Sequence, residues 1–326
     1  MSGAASSPPL GGSEDPSTAI RHRLEYAAFR LARLVLGGLP EDWALRVAAA
    51  LGWLVGVLAR VRRRDVDAHL AQAFPEASAS WRRRVARRSY MHLGREAALL
   101  FRLHQWTPEE INARVDFSGL ELLREAASGE QGVMLLTAHL GNWEIAGARI
   151  AAAGLPIDVV GKGMANRRFE ADLFETRERL GMRVIDMADA PRDVLRALGR
   201  GRLAALLGDQ NARRNGIFIP FFGRSASTPR GPAVFALRRN VPVFVGFAIR
   251  QPGWPQRYRV EARRLGFERS GDVEVDTRAM LTAYHEVLEE AILTAPDQYF
   301  WQHRRWKTRP PGESVIVPSG DSGTAN

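Results

Sequence analysis

The chain has 326 residues, 45% of them hydrophobic, enough to bury a full core as one large α/β domain or as a domain with an appendage. Its formal charge is +10, from 46 basic and 36 acidic residues, and Lys162 and Lys307 are the only lysines. That balance points to an anionic partner such as a phospholipid surface, an acidic protein or nucleic acid, and the lack of cysteine excludes disulfides, thiolate nucleophiles and Cys-type zinc sites.

Residues 1–20 are small, polar and Pro/Gly-rich at their start and are expected to form a disordered leader. No basic start precedes an apolar run, so they do not resemble a secretory signal. The stretch 26–59 opens amphipathic, with Arg30 and Arg33, and turns apolar after Pro40-Glu41-Asp42. Positions 47–59 are 13 uncharged residues, and counting back to Trp43 across Arg46 gives 17, against roughly 20 for a spanning helix. Arg60, Arg62, Arg63 and Arg64 follow at once, a basic flank of the kind found on the cytoplasmic side. A buried core helix and a helix lying in or dipping into the membrane interface both fit, and the second is preferred.

Residues 80–103 read as a long helix with Arg82, Arg83, Arg84, Arg87 and Arg88 in its first turns. From Val115 onward, short apolar runs at 133–138, 156–160, 182–187, 202–208 and 241–249 alternate with helical patterns at 143–153, 166–180, 191–199 and 229–239. Such alternation predicts an α/β fold, a mostly parallel sheet flanked by helices. The expected organisation is a helical membrane-associated appendage over 21–110, an α/β domain over 111–310 and a disordered tail over 311–326.

Three segments carry possible chemistry. The first, His139-Leu140-Gly141-Asn142-Trp143-Glu144, follows the apolar run at 133–138 directly; open α/β sheets place their sites at strand carboxyl ends. On one continuous helix, residues five apart point about 140° apart. A sharp turn at Gly141 with Asn142 capping a new helix would let His139 and Glu144 meet. Histidine would then take a proton from an alcohol while the carboxylate orients it. A plain helix start with an incidental histidine explains the same residues. A His/Glu metal site lacks a second nearby histidine.

The second segment, Gly208-Asp209-Gln210-Asn211, also ends an apolar run and reads either as polar groups offered to a site or as a turn. Beyond it, Ser225 to Pro232 is expected to start a helix, capped by Thr228 with Pro229 in the first turn. The N–H groups there and Arg230 would suit a phosphate or an oxyanion. The third segment, 299–310, interleaves aromatics with arginines, which fits single-stranded nucleic acid or a membrane interface; the apolar N-terminal stretch favours the membrane. Neither a G-x-S-x-G elbow nor a Walker or dinucleotide glycine motif is present.

HLGNWE after a strand, GDQN with FIPFFGRSASTPRGP downstream, and the closing WQHRRWKTRP together resemble the late acyltransferases of lipid A biosynthesis, the lauroyl/myristoyl transferase family. The resemblance covers roughly residues 25–310, including FPEAS at 74–78. It implies a glycerolipid-acyltransferase-like fold on the cytoplasmic face of the bacterial inner membrane. It also implies transfer of a fatty acyl chain from a thioester donor, acyl carrier protein by preference, to a hydroxyl of a lipid A precursor. His139 and Glu144 match the family's H-x4-[D/E] pair and are the expected catalytic residues. Asn166 and Arg177 match an Asn-led helix with a following basic residue, and Asp209 matches the Asp after the later strand. With Arg230 and Lys162, these three are the expected substrate-binding residues. A sister branch with the same architecture acylates phosphatidylinositol mannosides from acyl-CoA. No metal or organic cofactor is implied and no nucleic-acid partner is expected. A non-catalytic basic membrane- or nucleic-acid-binding protein is the reading from another class, and it has no need of an ordered polar cluster at strand ends.

Overall fold

A computed structural model describes residues 16–312; the parts of the expected leader and tail at 1–15 and 313–326 lie outside the described residues. The first helix, α1 (Pro16–Gly38), begins within the last positions assigned to the leader. It is followed by α2 (Glu41–Val57), α3 (Arg63–Ala73), α4 (Ala79–Leu103) and α5 (Pro108–Arg114). Local chemistry sets these boundaries. Ser78 caps α4 by accepting the Trp81 N–H, and Thr107 and Glu110 close a reciprocal capping box at the start of α5.

The rest of the chain is α/β. It runs β1 (Val115–Ser118), α6 (Leu120–Ala127), β2 (Val133–Thr137), α7 (Trp143–Ala152), β3 (Ile157–Gly161), α8 (Arg167–Arg179), β4 (Arg183–Asp186), α9 (Ala190–Leu198) and β5 (Leu203–Leu207). Then come the hairpin β6 (Ile217–Phe221) and β7 (Arg224–Thr228), α10 (Gly231–Arg239), β8 (Val243–Arg250), β9 (Tyr258–Arg264) and α11 (Val273–Thr294). Seven strands form one sheet in the order β1-β9-β8-β2-β5-β3-β4. Strands β8, β2, β5, β3 and β4 run parallel, and β9 pairs antiparallel with β8. Every strand and helix expected between 133 and 249 is present within about two residues, the helix expected from 229 starting at Gly231. The sequence reading had no place for β1, β9, the hairpin or α11.

Helices cover both faces of the sheet, so β2 is apolar and buried from Val133 to Leu136. Its Met134 and Leu136 pack into one core with α9, α10 and α11. Val133 and Leu135 pack into the other, with α5, α7 and residues of α1 and α2, as the two-residue period of a strand requires.

The appendage packs on this domain through α4. A Cβ at Gly52 of α2 would stand 2.1 Å from the Tyr90 carbonyl oxygen, and one at Gly94 of α4 would stand 2.1 Å from the Ala48 oxygen. The two helices thus cross backbone to backbone. That contact buries Ala44, Leu45, Ala48, Ala49 and Gly56 and leaves Trp43, Leu51, Leu54, Val55 and Leu58 exposed, Trp43 to 61%. Helix α1 adds exposed Leu24, Leu31, Leu34 and Val35. No helix among the described residues is long and apolar enough to cross a membrane. The apolar N-terminal stretch is therefore half core helix and half exposed ridge.

Replacing Gly52 with Leu forces α2 and α4 apart. Overpacking of this kind costs about 1–3 kcal/mol. Thermal unfolding in detergent should show a midpoint lowered by several degrees; an unchanged midpoint would mean that the crossing has slack.

Candidate active site

Strands β8, β2 and β5 are neighbours, so the chain leaves their carboxyl ends into one crevice. After β2 the backbone turns at Gly141, whose φ of +64° is a left-handed conformation that glycine adopts without cost. A Cβ there would sit 1.9 Å from the Ala248 oxygen on β8, the same oxygen that accepts the Asn142 N–H at 2.9 Å. Asn142 then caps α7, its Oδ1 accepting the Ile145 N–H at 2.9 Å. The expected turn and cap are both present. From the other side, residues 298–300 clamp the loop: the Gly141 N–H donates to the Gln298 oxygen and the Phe300 N–H to the His139 oxygen.

His139 is held by Asp209. The His139 ring Nδ1 lies 2.8 Å from Asp209 Oδ1, and the His139 backbone N–H donates to Oδ2 at 3.1 Å. Burial works against the Asp209 charge, yet the charge and hydrogen bonds of His139, with a further contribution from Arg305, hold its carboxyl below the usual range. An ionised carboxylate only accepts, so Nδ1 carries a proton and Nε2 is the nitrogen left facing the site. Gln210 Nε2 stands 3.1 Å from that nitrogen, which makes it a contact of the site. The rings of Trp143 and Phe300 flank the imidazole at 4.7 and 5.9 Å.

Glu144 sits in the first turn of α7 as expected, but it does not orient His139. Arg177 on α8 donates to both of its oxygens, Nε at 2.9 Å and Nη2 at 2.5 Å, and the Trp143 indole donates at 3.0 Å. With both oxygens engaged and Trp143 between the two side chains, the carboxylate facing the histidine is that of Asp209. Trp143, Glu144 and Arg177 border an otherwise apolar cavity between α7 and the sheet, lined by residues including Leu135, Ile150, Ile157, Val159, Met182 and Phe244.

The remaining expected residues lie elsewhere. Asn166 caps α8 and donates to the His22 oxygen at 2.8 Å, tying α1 to α8. Arg230 pairs with Glu274, and Lys162 is exposed; neither lines the cavities beside His139. Thr228 ends β7 and caps no helix, and α10 begins at Gly231 without a side-chain cap. The aromatic-arginine segment at the end turns its aromatics inward, leaving Arg304 and Lys307 exposed. Tyr299, Trp301, Arg305 and Trp306 are all buried, packed on α3, α11 and the hairpin through contacts such as His69 Nδ1 to the Trp301 oxygen, 2.8 Å.

The sequence reading missed the network behind the turn. Asn142 Nδ2 and the Tyr258 hydroxyl both donate to Glu96 Oε2, at 2.7 and 2.6 Å. Burial raises the Glu96 pKa against those two hydrogen bonds. Burial, aided by Arg250, pushes the adjacent His92 down to about 3, so its 3.3 Å approach to Glu96 Oε1 is a contact of a neutral ring. The signal was in the sequence. Val85, Ser89, His92, Glu96, Leu99 and Leu103 form one stripe of α4 at helical spacing, and two ionisable residues interrupt it.

Glu96→Ala leaves two buried donors unpaired, at about 1–3 kcal/mol each. Unfolding in detergent should show that loss, with Glu96→Gln much milder because its amide oxygen still accepts. Equal stability of the Ala variant and the parent would remove Glu96 from the support of Asn142.

Residues 17–308 match the family of bacterial lipid A biosynthesis acyltransferases. The chain is 27% identical over 285 residues to the lipid A biosynthesis lauroyltransferase of Escherichia coli (strain K12), covering 86% of this chain and 89% of that one. It is 26% identical over 277 residues to the palmitoleoyltransferase of the same organism, with 83% and 88% covered. A phosphatidylinositol mannoside acyltransferase of Mycolicibacterium smegmatis is 27% identical over 228 residues, 68% of this chain and 71% of that one. A match that runs from the first helix through the buried closing segment shows that the chain belongs to the bacterial lipid A biosynthesis acyltransferase family.

Proposed function

We propose that this protein transfers a fatty acyl chain from a thioester donor to a hydroxyl of a lipid A precursor, with His139 as general base and Asp209 as its partner. One observation carries the mechanism: an imidazole with its Nδ1 held by a buried carboxylate packs on the Trp143 ring, which in turn borders the apolar cavity. His139 Nε2 takes the hydroxyl proton as that oxygen attacks the thioester carbon. The C–O bond forms, the C–S bond breaks, and the proton passes to the leaving thiolate. Direct attack suits a chain without cysteine and without a serine on His139 Nε2. The N–H groups of Trp143 and Glu144, in the first turn of α7, have no partner within the helix and suit the developing oxyanion. Glu144 acts by holding Arg177 and Trp143 at the mouth of the cavity, which takes the acyl chain.

The lipid A relatives cover more of both chains than the mannoside acyltransferase does, which favours a lipid A precursor as acceptor. His139→Ala and Asp209→Asn should each lower transfer by about 10²–10⁴-fold, with His139→Ala keeping the parental unfolding midpoint. Near-parental turnover by folded His139→Ala protein would sink the mechanism.

The exposed ridge of α1 and α2 beside Arg60, Arg62, Arg63 and Arg64 suits the acyl–headgroup boundary of an anionic leaflet, consistent with the cytoplasmic face of the inner membrane. Acyl carrier protein is the favoured donor. Arg82 is consumed by the carbonyls of Phe74, Pro75 and Ala77, whereas Arg83, Arg84, Arg87 and Arg88 are exposed along α4 and offer an acidic carrier a docking face. Replacing Arg83, Arg84 and Arg87 with Gln should slow transfer from the carrier protein, measured in neutral micelles, more than transfer from acyl-CoA. The variant should still float with vesicles, because the apolar ridge is untouched. Equal slowing of both donors, or none, would assign these arginines to lipid.

A further inference from the structure

One cleft outside the catalytic crevice gathers arginines without matching carboxylates. It lies where α5, β1, α7 and the start of β9 meet and encloses about 560 Å³. Arg114, Arg149, Arg257 and Arg259 line it, against a single carboxylate, Asp116. Two of the four charges are already paired. Arg114 Nη1 donates to both oxygens of Glu41 at 2.7 Å, and its guanidinium lies over the Trp106 ring at 4.2 Å. Arg259 Nε stands 3.6 Å from Asp116 Oδ2. Arg149 is half-buried on α7, and its Nε reaches only the Val115 oxygen, at 3.4 Å; burial lowers its pKa with no carboxylate opposing the shift. Arg257 is exposed. Among the described residues neither Arg149 nor Arg257 has an ion-pair partner. The two border the cleft from adjoining strand ends, because Val115, which Arg149 touches, is the strand partner of Tyr258, the residue after Arg257.

The cleft sits at the edge of the sheet that carries the catalytic turn. Tyr258 pairs with Arg250 at the carboxyl end of β8, two residues past the Ala248 that bridges to Gly141. Adjacent strands lie about 4.8 Å apart, so two steps across the sheet from β2 place Tyr258 about 10 Å from the turn of His139. Helix α7 gives a similar span: Arg149 follows Trp143 by about 9 Å along the axis. On its other side the cleft adjoins the apolar ridge, since Glu41, the partner of Arg114, opens α2 just before the exposed Trp43.

A guanidinium fork matches the oxygens of a phosphate, and a partly desolvated one without a carboxylate is suited to receive them. We propose that this cleft is a phosphate subsite, in which Arg149 and Arg257 hold a phosphate on the headgroup of the acceptor lipid while the acceptor hydroxyl lies at His139, about 10 Å away. The assignment to the acceptor rests on the reading of His139 as the base of acyl transfer; the phosphate site itself does not. The spacing makes the cleft selective for a headgroup whose phosphate and reacting hydroxyl are that far apart.

The first measurement is direct binding. Dihexanoyl phosphatidic acid, a lipid phosphomonoester, is titrated into the full chain in neutral micelles by calorimetry. The parent should bind it, and more weakly as salt rises. Arg149→Gln and Arg257→Gln should each weaken binding about tenfold or more at the parental unfolding midpoint. Arg238→Gln, which removes an equal charge from α10 on the opposite face of the sheet, should bind as the parent does. Equal affinity of the parent and both cleft variants overturns the subsite. An equal loss in Arg238→Gln overturns it too, because the attraction would then be one of net charge. If Arg149→Gln does not fold, Arg257→Gln carries the test, its side chain being exposed. The second measurement places the phosphate. In transfer to a lipid A precursor, the cleft variants should raise KM for the acceptor about tenfold and leave KM for the donor as it is. With the precursor dephosphorylated, parent and variants should converge. A raised donor KM, or a loss that persists with the dephosphorylated acceptor, removes the acceptor's phosphate from the cleft. Protein that binds phosphatidic acid through Arg149 and Arg257 but transfers no acyl chain would defeat the catalytic reading and leave the subsite standing.

Discussion

Asp209 leaves the end of β5 and accepts two hydrogen bonds from one residue, the backbone N–H and the ring Nδ1 of His139 on the loop after the neighbouring strand. This double contact turns sheet register into site geometry. Because β2 and β5 are in register through Thr137 and Leu207, residues two positions beyond each strand stand side by side. The carboxylate also orients the ring, holding a proton on Nδ1 and leaving Nε2 to face the site. A slip of one residue in either strand would turn its side chains to the opposite face.

Several elements exist to hold that contact in place. Ala248 of β8 fixes the turn through its carbonyl, Glu96 of α4 holds the capping Asn142, and the closing segment binds both the His139 carbonyl and the Gly141 N–H. The closing segment is in turn held by α3 and α4, through His69 on the Trp301 oxygen, Arg62 on the Gln302 oxygen and Gln302 on Ser89. The helical appendage is therefore continuous with the support of the site. Its inward face is built of small residues so that α2 can approach α4 closely, and its outward face keeps the large apolar side chains. A patch of that kind marks an interaction surface, and the lipid boundary proposed above would cover it.

The order of elements between 133 and 249 was readable because each strand there is a short apolar run and each helix has its own period and punctuation. The same rules were silent on β9, where Tyr258, Val260 and Ala262 alternate with arginine and glutamate. That is the pattern of a strand paired near a sheet edge with one face exposed. The closing segment was misplaced for a different reason: aromatics beside arginines are compatible with an interface and with a core, and composition does not record which side faces water. Arg305 illustrates the point, since an arginine reads as a surface residue until its buried neutral acceptors, the Ser227 oxygen and Thr228 Oγ1, are known.

By itself the sequence determined the α/β alternation, the turn at Gly141, the cap at Asn142 and the position of His139 and Asp209 at strand ends, because each depends on residues close along the chain. Which carboxylate the histidine meets was decided only by the tertiary structure. Glu144 lies five residues from His139 and Asp209 lies 70, yet strand pairing brings the distant one to 2.8 Å, while Arg177, from a helix after the next strand, draws the near one away. Proximity in sequence sets what a short segment can form. The pairing of strands, and the requirement that buried charges find partners, set which side chains meet.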